Sequence, residues 1–188
     1  MSSKNFDWAL RVVLHHEGGF VDDRDDPGGA TDFGISLRFL QTVVEDLDGD
    51  GFADGDLDRD GDIDIDDIRS LDLDDVSSLY ETKFWKKAKC DKIKSQLIAV
   101  KVFDMAVNMG PSQAWKLVQR ACGTLGKPLT VDGKAGTNTL AAVNSLAKKD
   151  FMLVTNIRRE QDKFYNNLIV KKPSLAKFAL GWRRRAAF

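Results

Sequence analysis

Between Ser95 and Met109 the chain is apolar almost all round: Leu97, Ile98, Val100, Val102, Phe103, Met105, Ala106 and Val107 leave no wide polar face at helical spacing. A helix of this kind must be wrapped by other elements, so the rest of the chain is constrained to pack around it. It is too short to cross a bilayer, and no run of 18 apolar residues occurs elsewhere. With 43% hydrophobic residues in 188, a sizeable core is available and global disorder is excluded.

The elements predicted around that helix are mostly helical. Phe6, Trp8, Ala9, Leu10, Val12, Val13 and Leu14 recur at helical spacing over 4–16, and Gly18-Gly19 ends the pattern. Residues 20–34, rich in Asp, Gly and Pro, read as a loop or short hairpin. A helix capped by Ser36 is predicted over 35–45, and another over 76–87 capped by Asp74 or Asp75. Pro111 opens a helix that Gly123 ends, and further helices are predicted over 137–147, 150–169 and 173–182. The fold class expected is α+β, mostly helical, with a small β or loop lobe. The whole chain, 1–188, reads as one folding unit, because the helix at 95–109 belongs to both halves. Two cysteines, Cys90 and Cys122, are too few for a disulfide framework and read as buried thiols.

Charge divides the chain sharply. Residues 45–75 carry 15 acidic and 2 basic side chains, net -13, whereas residues 76–188 are net +15. Residues 1–44 add -3, so the overall -1 conceals two strong and opposite fields. The basic part fits either solvated helix faces or attraction to anionic cell-envelope polymers. No helix-turn-helix or other reader pattern appears, so nucleic acid is not an expected partner.

The stretch from His16 to Ser36 holds the residues best suited to catalysis. Glu17 ends an apolar helix, where desolvation favours its protonated form. Asp26 follows in a glycine-rich turn with Thr31 beyond it, and an Asp in an open polar loop stays ionised. Two carboxyl groups in unlike surroundings meet the requirement of glycoside hydrolysis, and a nearby hydroxyl can orient a water. Composition alone reads the same stretch as an acidic surface turn.

Its words are Glu17-Gly18-Gly19-Phe20, Asp26-Pro27-Gly28-Gly29-Ala30-Thr31 and Gly34-Ile35-Ser36. They resemble the signature of glycoside hydrolase family 108, the lysozyme-like N-acetylmuramidases common among phage endolysins. The resemblance continues through Lys83-Phe84-Trp85, Val102 to Gly110, Leu117 to Ala121, Val131 to Gly136 and Gly181 to Arg184. It implies a lysozyme-like fold that cuts the β-1,4 bond between N-acetylmuramic acid and N-acetylglucosamine. The family's acid falls on Glu17. By analogy with phage lysozymes, Asp26 is the second carboxylate and Thr31 the water-positioning hydroxyl. The Glu-to-Thr spacing is one residue shorter than that analogy expects, so Asp22 is a rival for the second role. Implied with the family are peptidoglycan as partner, a monomer, and storage in the host cytoplasm until release to the cell wall, with no signal peptide visible. A lytic transglycosylase using Glu17 alone, and a calcium-dependent wall-binding protein without catalysis, are the alternatives. Residues 95–188 resemble a peptidoglycan-binding region, most clearly at Val131-Asp132-Gly133-Lys134-Ala135-Gly136.

Residues 46–67 lie outside the resemblance and carry a second pattern. A calcium loop needs oxygens at positions 1, 3, 5, 7, 9 and 12, with Gly at 6 and an apolar residue at 8. Counting from Asp56 gives Asp58, Asp60, Gly61, Asp62, Ile63, Asp64 and Asp67 at the required places, and the closing Asp resembles the dockerin variety. Upstream, Asp46, Asp48 and Asp50 begin the same pattern, but Leu57 stands at position 12, so Asp54 or Asp56 would complete that shell. One or two Ca²⁺ ions with a structural role are expected. His15 and His16 lack a third histidine and are not read as metal ligands. Trp85, Trp115 and Trp182 are read as core, with a sugar-stacking role open to any of them.

Overall fold

The computed structural model describes residues 4–16, 30–46 and 49–187. Two compact units emerge, residues 1–9 with 81–188 and residues 10–80. The fold is α+β and lysozyme-like, mostly helical with one small sheet.

The first unit is built on helix α5, Gln96–Met109. (Helices are numbered in chain order, beginning with α1, Lys4–His16.) Ser95 caps α5 as its Oγ accepts the Ile98 N–H at 3.4 Å, and donates to Asp150 Oδ2 at 2.8 Å. Ile98, Val100, Val102, Phe103, Met105 and Ala106 are fully buried, as the all-round apolar pattern requires. Helices α6 (Pro111–Thr124) and α8 (Asp150–Lys171) pack on α5 and on each other. The turn between α5 and α6 is made at Gly110, whose φ of 81° suits glycine, and Pro111 opens α6 where no N–H partner is needed. Helix α7 (Thr137–Ser145) lies against α6, and α9 (Ala179–Ala187) lies against α8. Phe6, Trp85 and Phe103 meet edge to face with centroids 5.4–5.9 Å apart, each pair adding about 0.5–1.5 kcal/mol to the burial of its rings. Trp115 is buried and donates its Nε1–H to Ala88 O at 2.9 Å. Both cysteines are buried and free, as expected.

Two charged residues also lie on α5 without reaching water. Lys101 is 1% exposed and donates to the Arg185 carbonyl at 2.7 Å. Asp104 is fully buried and accepts from Arg185 at 3.0 Å. Helix α9 therefore supplies both partners that α5 needs on its polar side.

The second unit contains the hairpin β1 (Thr31–Asp32) and β2 (Ile35–Ser36), then α2 (Leu37–Leu40), the acidic loop, α3 (Ile65–Ser70) and α4 (Leu73–Leu79). Val13, Ile35, Leu40, Val43, Ile68 and Val76 are among its buried apolar residues. Three local expectations are corrected. The helix capped by Ser36 stops at Leu40 instead of 45, because Thr42 and Val43 close tighter turns onto Phe39 and Leu40. Gly55 also lies so close to the Leu40 and Val43 carbonyls that a Cβ there would sit 2.6 and 2.8 Å from them. The next helix is capped by Asp72, whose Oδ1 accepts the Asp74 and Asp75 N–H groups at 2.7 and 2.9 Å. After Leu79 it gives way to a π-helix, Tyr80–Lys86. Finally, Pro173–Phe178 is a 3₁₀ turn and the last helix continues to Ala187.

Candidate functional site

Thr31 is held by a short hairpin. It pairs with Ser36, and Asp32 pairs with Ile35. The connecting residues Phe33 and Gly34 both have positive φ, 48° and 77°, the condition for a type I′ turn. Phenylalanine adopts this region at a cost. Two bonds offset it: Asp32 Oδ1 accepts the Phe33 N–H at 2.9 Å, and Tyr80 Oη donates to the Phe33 carbonyl at 2.9 Å. Ser36 then caps α2 by accepting the Phe39 N–H at 3.2 Å. A half-buried Thr31 is thus fixed on a strand one residue before a pinned turn. Glu17, Asp22 and Asp26 lie outside the described residues, as do the side chains of His15 and His16.

The acidic loop is ordered by its own carboxylates. Asp56 is buried; its Oδ1 accepts the Asp60 N–H at 3.1 Å and its Oδ2 the Gly61 N–H at 3.0 Å. Gly61 has φ 103°, the sharp turn expected at position 6. Asp67 is 1% exposed. Its Oδ1 accepts from Leu57 at 2.6 Å and Asp58 at 3.3 Å, and its Oδ2 from Asp64 at 2.7 Å. The twelfth residue therefore ties the start of the loop to its end. Asp64 also caps α3 through the Asp66 N–H at 2.6 Å, so the loop runs straight into a helix.

Carboxylate oxygens converge in two groups, Asp56 with Asp58 and Asp60, and Asp62 with Asp64 and Asp67, each within 4.8 Å. Burial, then repulsion from Asp60, raises the Asp58 carboxyl above its ordinary range. Repulsion from Asp60, then burial, does the same for Asp62. An all-carboxylate donor set fits Ca²⁺, a hard cation that takes six to eight oxygens. The upstream half differs. Asp46 accepts from Gly49 at 2.6 Å and Gly51 at 3.1 Å, while Asp50 accepts from Phe52 at 3.0 Å and pairs with Arg59 at 2.8 Å. Among the described residues, Asp46, Asp50 and Asp54 join no such convergent group, and Asp48 lies outside them.

In the first unit, Gln119 organises the 131–139 segment, and periodicity placed it only on a helix. It is 1% exposed. Its Nε2 donates to Asp132 Oδ1 at 2.7 Å and to the Lys134 carbonyl at 3.1 Å, and its Oε1 accepts the Gly133 N–H at 2.9 Å. The Lys134 N–H and then Gln119 hold the Asp132 carboxyl below its ordinary range. The only hint in the sequence was an uncharged polar residue inside the apolar word Leu117-Val118-Gln119. Trp182, expected in the core, is instead half-buried and stacked on Tyr165, with centroids 4.9 Å apart and planes at 12°.

The family model described as Glycosyl hydrolase 108 matches residues 10–110, more than half of the chain. A second, described as Predicted Peptidoglycan domain, matches residues 113–187. The two matches meet at the Gly110–Pro111 turn, inside the first unit. The structure of SagA from Brucella abortus superposes with a TM-score of 0.72 at 24% identity, covering 99% of this chain and 91% of that one, a likeness of fold. None of the curated proteins compared with the chain matches it.

Proposed function

The chain belongs to glycosyl hydrolase family 108 and acts as a glycoside hydrolase on peptidoglycan, and from that premise we propose that it is an N-acetylmuramidase. The bond cut is the β-1,4 link between N-acetylmuramic acid and N-acetylglucosamine. The observation that carries this reading is that the hydrolase match spans Glu17, Asp26 and Thr31 and is followed at once by the peptidoglycan match. Glu17 protonates the leaving glycosidic oxygen. Asp26, or its rival Asp22, is the ionised second carboxylate. Thr31 orients the attacking water, and its pinned position on β1 supports that role. In this reading the peptidoglycan-binding helices are part of the hydrolase and not an independent module, which their sharing a unit with α5 supports.

Calcium, one ion at Asp56–Asp67 or two if the upstream half also binds, orders the insertion and takes no part in bond cleavage. Two carboxyl groups suffice for that chemistry. The biological setting proposed is a phage endolysin, held in the host cytoplasm and released to the wall, with the basic helices drawn to anionic envelope polymers.

Mass spectrometry of muropeptides released by wild type and Glu17→Gln tests the reading. Wild type should release reducing N-acetylmuramic ends, and the variant should release none while melting normally. Anhydro ends, lighter by one water, would instead establish a transglycosylase. Binding to walls with no new ends from wild type would leave a non-catalytic protein.

A further inference from the structure

Among the described residues of the first unit, three clefts can be compared, and one differs from the other two in what its polar groups are doing. Beside the 131–139 segment, Asp132 and Thr139 are already bound by Gln119. In the groove of Arg120 and Phe164, the carboxylate of Glu160 is paired with Lys163 at 2.7 Å. The third cleft, about 330 Å³, runs between α8 and α9. That volume lies within the range of small-molecule sites, about 300–1,000 Å³.

Its walls follow from helical spacing. Asp162, Tyr165, Asn166 and Ile169 share one face of α8, and Trp182 and Arg183 project from α9 opposite. Tyr165 is anchored from behind: its hydroxyl donates to Asn108 at 2.7 Å and accepts from Gln161 at 3.0 Å. Trp182 stacks on that fixed ring, and Phe178 leans on it at 5.8 Å. A partly exposed indole is thus held rigid before anything binds. Asp162, Asn166 and Arg183 are exposed, and their side chains make no hydrogen bond or ion pair among the described residues.

We propose that this cleft, built on Trp182, Asp162, Asn166 and Arg183, is a secondary binding site for a muropeptide, an N-acetylated amino sugar carrying a peptide carboxylate. The proposal rests on peptidoglycan being the substrate and names where the wall is gripped apart from the Glu17 site. The rigid indole offers an apolar surface to a pyranose ring. Asn166 and Asp162 offer a donor–acceptor amide and an acceptor to acetamido and hydroxyl groups. Arg183 has a planar fork that matches a carboxylate, which selects the peptide-bearing sugar over the bare glycan.

The test titrates the full chain with a disaccharide-tripeptide wall fragment, and separately with the peptide-free disaccharide, following tryptophan fluorescence. Trp85 and Trp115 are buried, so a change reports Trp8 or the half-buried Trp182. Wild type should bind the peptide-bearing fragment saturably, and Trp182→Phe should abolish the fluorescence change while Trp8→Phe keeps it. Arg183→Ala should weaken the peptide-bearing fragment about tenfold and leave the weaker disaccharide unchanged. Asn166→Ala should weaken both. Both alanine positions are exposed, so melting temperatures should match wild type. Equal affinities in wild type and Arg183→Ala, or equal affinity for the two ligands, would overturn the site. Binding is read without turnover, so this failure is separate from release of ends by Glu17→Gln, which would overturn the muramidase reading alone.

Discussion

Removing the Asp67 side chain should destabilise the acidic loop by an amount the structure allows to be worked. The carboxylate is 1% exposed and accepts two short bonds, 2.6 Å from Leu57 and 2.7 Å from Asp64, with a longer one from Asp58. Hydrogen bonds to a charged group contribute about 1.5–3 kcal/mol each, so the two short ones represent about 3–6 kcal/mol. Against this, Asp67→Ala relieves repulsion with Asp62 and Asp64. Those two are exposed, and at this separation a pair in a water-like dielectric costs only about 1 kcal/mol. The net loss is about 1–4 kcal/mol, or about 2–16 °C in melting temperature for a chain this long. Asp67→Asn keeps one acceptor oxygen but sets an amide against the Asp64 N–H, and should fall between wild type and alanine.

The assay is thermal melting followed by circular dichroism, in EDTA and in excess Ca²⁺. Calcium at one hundred times its dissociation constant should stabilise wild type by about 2.7 kcal/mol. Asp67→Ala should lose most of that gain. An alanine variant that melts within a degree of wild type in EDTA would refute the hydrogen-bond reasoning. A calcium-induced rise of the same size in both proteins would refute Asp67 as a ligand.

Two further outcomes follow from buried groups in the first unit. Burial, partly opposed by Asp104, lowers the Lys101 ammonium to about 8 from its ordinary 10.5. The unfolded chain therefore binds more protons in that interval, and stability should rise from pH 8 to 9 by at most about 1.4 kcal/mol. Cys122, held up to about 11, and Tyr165, held up to about 12, act in the opposite sense at higher pH. The melting temperature should thus climb to near pH 9 and then fall, and Lys101→Met should remove the climb; a wild-type melting temperature that only falls above pH 8 would contradict it. Gly133→Ala places a Cβ 2.5 Å from Ser112 Oγ and 2.6 Å from its carbonyl, at a φ of 74°. It should cost about 2–4 kcal/mol in urea unfolding, since both overpacking and a left-handed alanine are unfavourable, and a loss under about 0.5 kcal/mol would show that the segment yields freely.

How much was legible differed from element to element. The α5 helix was readable because an apolar surface on every side admits only a buried helix, and Ser95 marked its start. The turn at Gly61 and the anchoring carboxylates of Asp56 and Asp67 were readable because their spacing meets positional demands that a charge run does not. Helix α2 was not, since its end depends on Gly55 and the acidic loop crossing the Leu40 carbonyl, a contact fifteen residues away. The hairpin was visible only as a loop, because Phe33 is an unfavourable residue for the left-handed turn and is held there by Tyr80 from far along the chain.

The candidate site divides along the same line. Local words placed Glu17, Asp26 and Thr31 in one stretch, because the family's pattern is contiguous in the sequence. They could not show that Gln119 clamps the 131–139 segment, or that Trp182 lies half-open on Tyr165 with three unpaired polar groups beside it. Periodicity, caps and loop spacing are properties of neighbouring residues, so the sequence by itself determined where most helices lie and the turn of the acidic loop, but not where α2 ends. The buried pair Lys101 and Asp104 on α5 is met by Arg185 of α9, whose carbonyl accepts from the one and whose guanidinium donates to the other. Such partners are chosen by packing between residues more than eighty positions apart, and only the tertiary structure brings them together.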